Sequence, residues 1–320
     1  MHKSVIVEAT PSLALIKYWG KQDTAENLPA TSSLALNLDG LTTKTEVSFA
    51  EADKVVINGA QADPSRYTAY FDRIRKTLHT DAKYLVKSES TFPTAAGLAS
   101  SSSGFAALTL GCMALEQDHV DRAVASDLAR FGSASAARAV YGGFTILPKG
   151  SRTASPLFSP DHWPELRVLI AIVKKDEKSV SSRKAMELAR TTSPFYSKWV
   201  ESSEQLYQDA LEACRQKNLP LLGRAMQQSY LSMFSTMFTS VPPVMYWEPE
   251  SIAIIQACDE MRKKGIQVWE TMDAGPQVKM LCLDSDIEKI QQVLQRLNPT
   301  IEVLLSRPGG EAKIISREKR

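Results

Sequence analysis

An apolar run at residues 5–7 and an alternation of apolar and polar positions over residues 34–47 predict strands, and KVVING, residues 54–59, predicts another that ends in a turn. The first third therefore reads as mostly sheet. Asp63 is placed to cap a helix carrying Tyr67, Tyr70, Phe71, Ile74 and Leu78 on one face, and residues 84–86 return as strand. The strand runs into PTAAGLASSSSG, residues 93–104, after which Phe105, Leu108 and Ala114 mark a helical face. A second helix is predicted to end near Phe131. GSASAAR, residues 132–138, then starts a short third one that Gly142 and Gly143 stop before a strand at Phe144–Leu147.

RVLIAIV, residues 167–173, has the length and continuity of a buried strand. The polar KKDEKS behind it is the candidate boundary between two domains, residues 1–178 and 179–320. Helical periodicity follows over residues 181–189, 195–214, 219–238 and 251–264, broken by Pro194, Pro220, Pro242 and Pro243. Beyond Gly265 the pattern predicts strands at 266–272 and 278–283 around DAGP, a helix at 287–297 and a strand at 301–306. That order implies an antiparallel sheet backed by helices, and an α+β fold overall.

Composition narrows the function classes. The 38 basic and 36 acidic residues are interspersed and leave a formal net charge of +2, so no basic stripe for nucleic acid stands out. With 43% hydrophobic residues in 320, each of two domains can build a full core. No apolar run approaches a membrane span and the start is too short for a signal peptide, so a cytoplasmic protein without membrane attachment is expected. Cys112, Cys214, Cys258 and Cys282 lack paired spacing, which fits reduced core thiols. The scattered His2, His79, His119 and His162 make no metal-binding pattern.

The candidate chemistry begins with residues 93–104. Gly97 permits close backbone approach to a ligand, and Ser100 to Ser103 bring hydroxyls to a helix N-terminus, a favourable place for phosphate. It is not a P-loop, which needs Lys directly after its last Gly, and no GxGxxG occurs. In ALIKYWGKQD, Lys17, Tyr18, Lys21 and Asp23 lie close together; spacing alone fits a solvated face equally well, with Trp19 in the core. Ser133 and Ser135 fall in the expected first turn of a helix with Arg138 one turn on, a phosphate pocket or ordinary capping. Asp273 in TMDAGP either makes an Asx-turn or is a carboxylate held rigidly by Gly275 and Pro276.

Taken in order, IKYWGK, FPTAAGLASSSSGFAAL, GSASAAR with YGGF, VSSRKAM and TMDAGP resemble the mevalonate diphosphate decarboxylases over nearly the whole chain. These belong to the superfamily of galactokinase, homoserine kinase, mevalonate kinase and phosphomevalonate kinase, whose phosphate loop is of the PxxxGLxSS type. The resemblance implies ATP-dependent decarboxylation of mevalonate 5-diphosphate to isopentenyl diphosphate, with magnesium as cofactor. It implies an N-terminal ribosomal-protein-like domain, a C-terminal ferredoxin-like domain, an active site between them, and a homodimer. By the same resemblance Asp273 and Lys17 are catalytic. Tyr18, Lys21, Ser133, Ser135, Arg138 and the less securely aligned Arg66 hold the substrate diphosphate, and Met186 lies in the segment that closes on it. Pro93, Ala96, Gly97, Leu98, Ser100 and Ser101 match the nucleotide-phosphate loop, and Asn58, with Gly59, a strand end near the adenine. Metal ligands are not assigned. The chain departs from the family at Ser12, Thr91 and Gln277, where Asn is usual, at Ala134 and Ala137, where Gly and Cys are usual, and at Phe234, where His is usual. The competing readings are a phosphomevalonate decarboxylase, which shares Lys17 and Asp273, a mevalonate-type small-molecule kinase, and an RNA-binding module.

Overall fold

A computed structural model describes residues 2–92, 100–176 and 179–319. The first half opens with β1 (His2–Ala9), β2 (Ser12–Ile16), a small hairpin of β3 (Lys21–Asp23) and β4 (Leu28–Pro29), and β5 (Ser33–Asn37). β6 (Thr43–Ala50), β7 (Lys54–Ile57) and β8 (Ala60–Gln61) precede α1 (Thr68–Leu78), and β9 (Lys83–Ser90) leads toward α2 (Ser100–Glu116). Next come α3 (Arg122–Gly132), the four-residue α4 (Ala136–Ala139), β10 (Phe144–Leu147) and β11 (Ser155–Phe158).

Two expectations change here. The alternating stretch 34–47 is two strands in different sheets: β5 pairs with β2 and β10, while β6 pairs with β1 and β9. Gly40, at φ +77, lies between them in a backbone conformation that glycine adopts without strain. Asp63 caps a separate 3-10 turn, Pro64–Arg66, by accepting from Ser65 N at 3.0 Å, and α1 starts only at Thr68. α2 is apolar on nearly all sides because it is central, with the large sheet behind it and α1, α3 and α4 around it. Gly111 lets it lie on the sheet, since a Cβ there would come within 2.4 Å of the Val47 side chain.

The second half contains β12 (Leu166–Ile172), α5 (Ser182–Thr192), α6 (Tyr196–Arg215), α7 (Leu219–Phe238) and α8 (Pro249–Lys263). It continues with β13 (Val268–Met272), β14 (Val278–Leu283), α9 (Ile287–Leu297), β15 (Glu302–Ser306) and β16 (Lys313–Lys319). β13, β14, β12 and β15 form an antiparallel sheet in that order, the β-α-β-β-α-β arrangement of a ferredoxin-like domain with extra helices in its first crossover. The two-domain α+β fold is therefore as expected. β16, which the hydrophobic pattern did not reveal, returns to the first domain and pairs along β1, completing the sheet β16-β1-β6-β9-β7-β8. Sheet membership thus departs from a division at residue 178: β12 lies with the second half and β16 with the first. The four cysteines are buried free thiols.

Candidate functional site

A cleft of about 530 Å³ lies between the two halves. Its floor begins where β2, buried at every position, runs out into Lys17, Tyr18, Trp19 and Gly20. Lys17 N donates to Ser229 Oγ on α7 at 2.9 Å, and Trp19 Nε1 donates to Thr236 Oγ1 on the same helix at 3.1 Å. From α6, Trp199 Nε1 donates to Trp19 O at 3.0 Å. Gly20 has φ +104, and a Cβ there would meet Tyr196 Oη at 1.7 Å, so this position admits only glycine without rearrangement. The segment is therefore pinned to the second half, and the solvated-face reading of its lysines fails at Lys17, which is 1% exposed.

Lys17 Nζ donates to Asp273 Oδ1 and to Ala14 O, both at 2.7 Å. Asp273 sits immediately after β13, at the entry to the turn into β14. Lys279 on β14 approaches from the other side, with Nζ 3.2 Å from Asp273 Oδ2 in an ion-pair contact that lacks hydrogen-bond alignment. Burial alone would raise the Asp273 pKa, but the two ammonium groups outweigh it and hold the carboxyl well below its usual range. Burial pushes Lys17 down to about 8, against the opposing pull of Asp273. If a charged Lys17 is required, kcat/KM should fall with unit slope as pH rises through about 8. A flat profile from roughly pH 7 to 9.5 would show that the free enzyme does not need that charge.

The walls carry cations and hydroxyls. Arg138 in α4 is 1% exposed and donates to the hydroxyls of Ser12 and Ser33, and burial pushes its pKa down to about 10. Ser133 is the residue after α3 and Ser135 the one before α4, so these hydroxyls flank a break between helices; the expected first turn of one helix does not contain them. They form a chain with α2: Ser101 Oγ to Ser133 Oγ is 3.3 Å and Ser133 Oγ to Ser135 Oγ is 3.1 Å. Of the serine run, Ser102 and Ser103 are buried anchors. Ser102 Oγ accepts from Ser12 N at 3.0 Å and Ser103 Oγ lies 2.7 Å from Thr43 Oγ1, while Ser100 and Ser101 line the cleft.

Tyr18, Lys21, Arg66 and Met186 also line it. Burial pushes the Tyr18 phenol up, and its Oη has no hydrogen-bond partner among the described residues. Lys21 is lowered by burial and by the guanidinium of Arg183 on α5, so two cations from different halves face the same space. Asn58 is not among the described residues that line the cleft. It occupies a left-handed turn position at φ 48 after β7, where its Oδ1 accepts from Ser90 N at 3.1 Å. Pro93, Ala96, Gly97 and Leu98 lie outside the described residues. Reasoning from sequence missed Arg183 and Ser182, although both stand in the VSSRKAM stretch, and Lys279, whose only signal is a lysine within the apolar run VKMLCL.

Residues 9–157 match the family model for the diphosphomevalonate decarboxylase-like N-terminal domain, and residues 168–314 match that for the mevalonate 5-diphosphate decarboxylase C-terminal domain. Diphosphomevalonate decarboxylase of Candida albicans is 31% identical over 318 residues, covering 92% of this chain and 88% of that protein. The chain belongs to the diphosphomevalonate decarboxylase family. It is accordingly a decarboxylase. Among solved structures, mevalonate diphosphate decarboxylase from Staphylococcus aureus has a TM-score of 0.92 at 33% identity, over 99% of both chains. MDDEF in complex with MVAPP, AMPPCP and magnesium has the same TM-score and identity, covering 99% of this chain and all of that one.

Three of the positions at which this diphosphomevalonate decarboxylase is expected to depart from the usual residues have defined partners. Gln277 is buried, its Oε1 accepting from Val173 N at 2.5 Å, and so ties the DAGP turn to the end of β12. Phe234 packs against Tyr230, Phe238 and Trp247, which makes an apolar cluster where the usual His would require a polar partner. Ser12, in place of Asn, accepts from Arg138 Nε at 3.5 Å.

Proposed function

We propose that this chain converts mevalonate 5-diphosphate and ATP to isopentenyl diphosphate, ADP, phosphate and carbon dioxide. The observation that carries the reading is the Lys17–Asp273 pair, at 2.7 Å, on the floor of a cleft whose walls supply Arg138, Lys21, Arg66 and Arg183. A tertiary 3-hydroxyl leaves poorly until ATP phosphorylates it, and loss of that phosphate develops positive charge beside the carbon bearing the carboxylate. The Asp273 carboxylate, ionised and fixed, suits orientation of the hydroxyl and stabilisation of that charge better than it suits a strong base. Lys17 faces the substrate carboxylate. Tyr18, Lys21, Arg66, Ser133, Ser135 and Arg138 take the diphosphate, and Met186 covers it from α5.

Ser100 and Ser101, at the start of α2, hold the ATP phosphates. Magnesium would be held there by the phosphate oxygens, with these hydroxyls in reach. When bound, the ion supplies neutralisation of phosphate charge. Ser101→Ala should weaken ATP use by about 1 to 3 kcal/mol of transition-state stabilisation, since the backbone donors remain. A change confined to the apparent affinity for the mevalonate compound would assign the hydroxyl to the other ligand.

The buried free thiols support a cytoplasmic location. A homodimer would cover exposed apolar side chains such as Phe195 and Val241, and light scattering would read its mass. The test of the activity is to supply ATP and magnesium with either mevalonate 5-diphosphate or the 5-monophosphate and to measure ADP and carbon dioxide together. Equal release of both with a preference for the diphosphate is expected. ADP without carbon dioxide would make the chain a kinase, and preference for the monophosphate would move the substrate.

A further inference from the structure

Lys17 already neutralises Asp273, yet a second lysine is buried beside it. Lys279 is 1% exposed in a strand whose other members are Val278, Met280, Leu281, Cys282 and Leu283. Its place follows from register: it pairs across the hairpin with Thr271, two residues before Asp273. The charged groups facing Asp273 are Lys17 beyond β2, Lys279 on β14 and Arg138 on α4. Lys17 and Lys279 thus set two buried ammonium groups against one carboxylate. As a packing device this is poor, because a neutral side chain of similar volume would avoid the desolvation cost.

The geometry gives the second lysine a use. Lys17 takes Oδ1 at 2.7 Å and Lys279 stands 3.2 Å from Oδ2, so the two lysines come from different domains and address different oxygens. One partner alone would leave the carboxylate free to swing about its bond to Cβ. Two fix its plane. We infer that Lys279 is a positioning residue, holding the Asp273 carboxylate in one orientation against the reacting end of the substrate. The inference rests on the reading of Asp273 given above.

The test compares Lys279→Met, Asp273→Asn and the double variant, with Lys279→Gln as a second neutral replacement should the methionine protein fold poorly. Lys279→Met should lower kcat roughly 10- to 100-fold while both KM values stay within about threefold, since the residue acts through Asp273 and not on a ligand. In the Asp273→Asn background the same change should add nothing further. A kcat within about twofold of the parent, or losses that multiply in the double variant, would each overturn the inference. If Asp273→Asn itself kept full turnover, the reading of Asp273 would fall and take this one with it. Loss in Asp273→Asn without loss in Lys279→Met would remove the positioning role alone.

Discussion

Asp273→Asn is expected to cut turnover at least ~100-fold, because an amide of the same shape neither accepts the hydroxyl proton nor stabilises the developing cation. A second effect should accompany the first. Lys17 and Lys279 share this carboxylate, and both are buried, so the variant leaves two ammonium groups without their anion. Breaking a buried pair costs about 3 to 5 kcal/mol, although Lys17, already pushed down to about 8, can shed its proton and limit the loss. A lower melting temperature should therefore be seen together with the lost activity, and the rates should be measured well below it. Turnover within a few-fold of the parent, in protein still folded at the assay temperature, would remove Asp273 from the chemistry.

Arg138→Ala should raise the KM for the diphosphate substrate strongly, at a cost of about 2 to 5 kcal/mol, since a charge-assisted guanidinium contact to phosphate is lost and the anion is left uncompensated. Turnover should fall too if binding at this end orients the 3-hydroxyl against ATP. The hydroxyls of Ser12 and Ser33 also lose their donor, so Arg138→Lys is the useful companion: it keeps charge but not the fork. An unchanged KM in Arg138→Ala would place the diphosphate elsewhere in the cleft.

The legible parts of the site were those whose chemistry is local. A serine run after a glycine and before an apolar helix reads as a phosphate-binding helix start, and helical periodicity marked α6, α7 and α8. What stayed hidden depends on pairing across the chain. The spacing of Lys17 and Lys21 fits an exposed face, and only the packing of β2 against α6 and α7 buries the first of them. The meaning of Lys279 depends on hairpin register, which no short window contains. The continuous alternation over 34–47 hid a change of sheet, because both strands obey the same period. β16 lies in a charged stretch, and its partner is more than three hundred residues away for the Ser4–Glu318 pair.

That last pairing bears on how the chain is made. Synthesis runs from β1 toward β16, so throughout elongation the flank of β1 that β16 will cover stays open, with its unpaired amides beside buried Val5 and Val7. Domains commonly fold one after another as they emerge, but here the first cannot close its sheet until the second has been almost entirely translated. The nascent first domain therefore carries an adhesive edge for most of its time on the ribosome, and dissecting the protein into halves by a single cut would make that temporary hazard permanent.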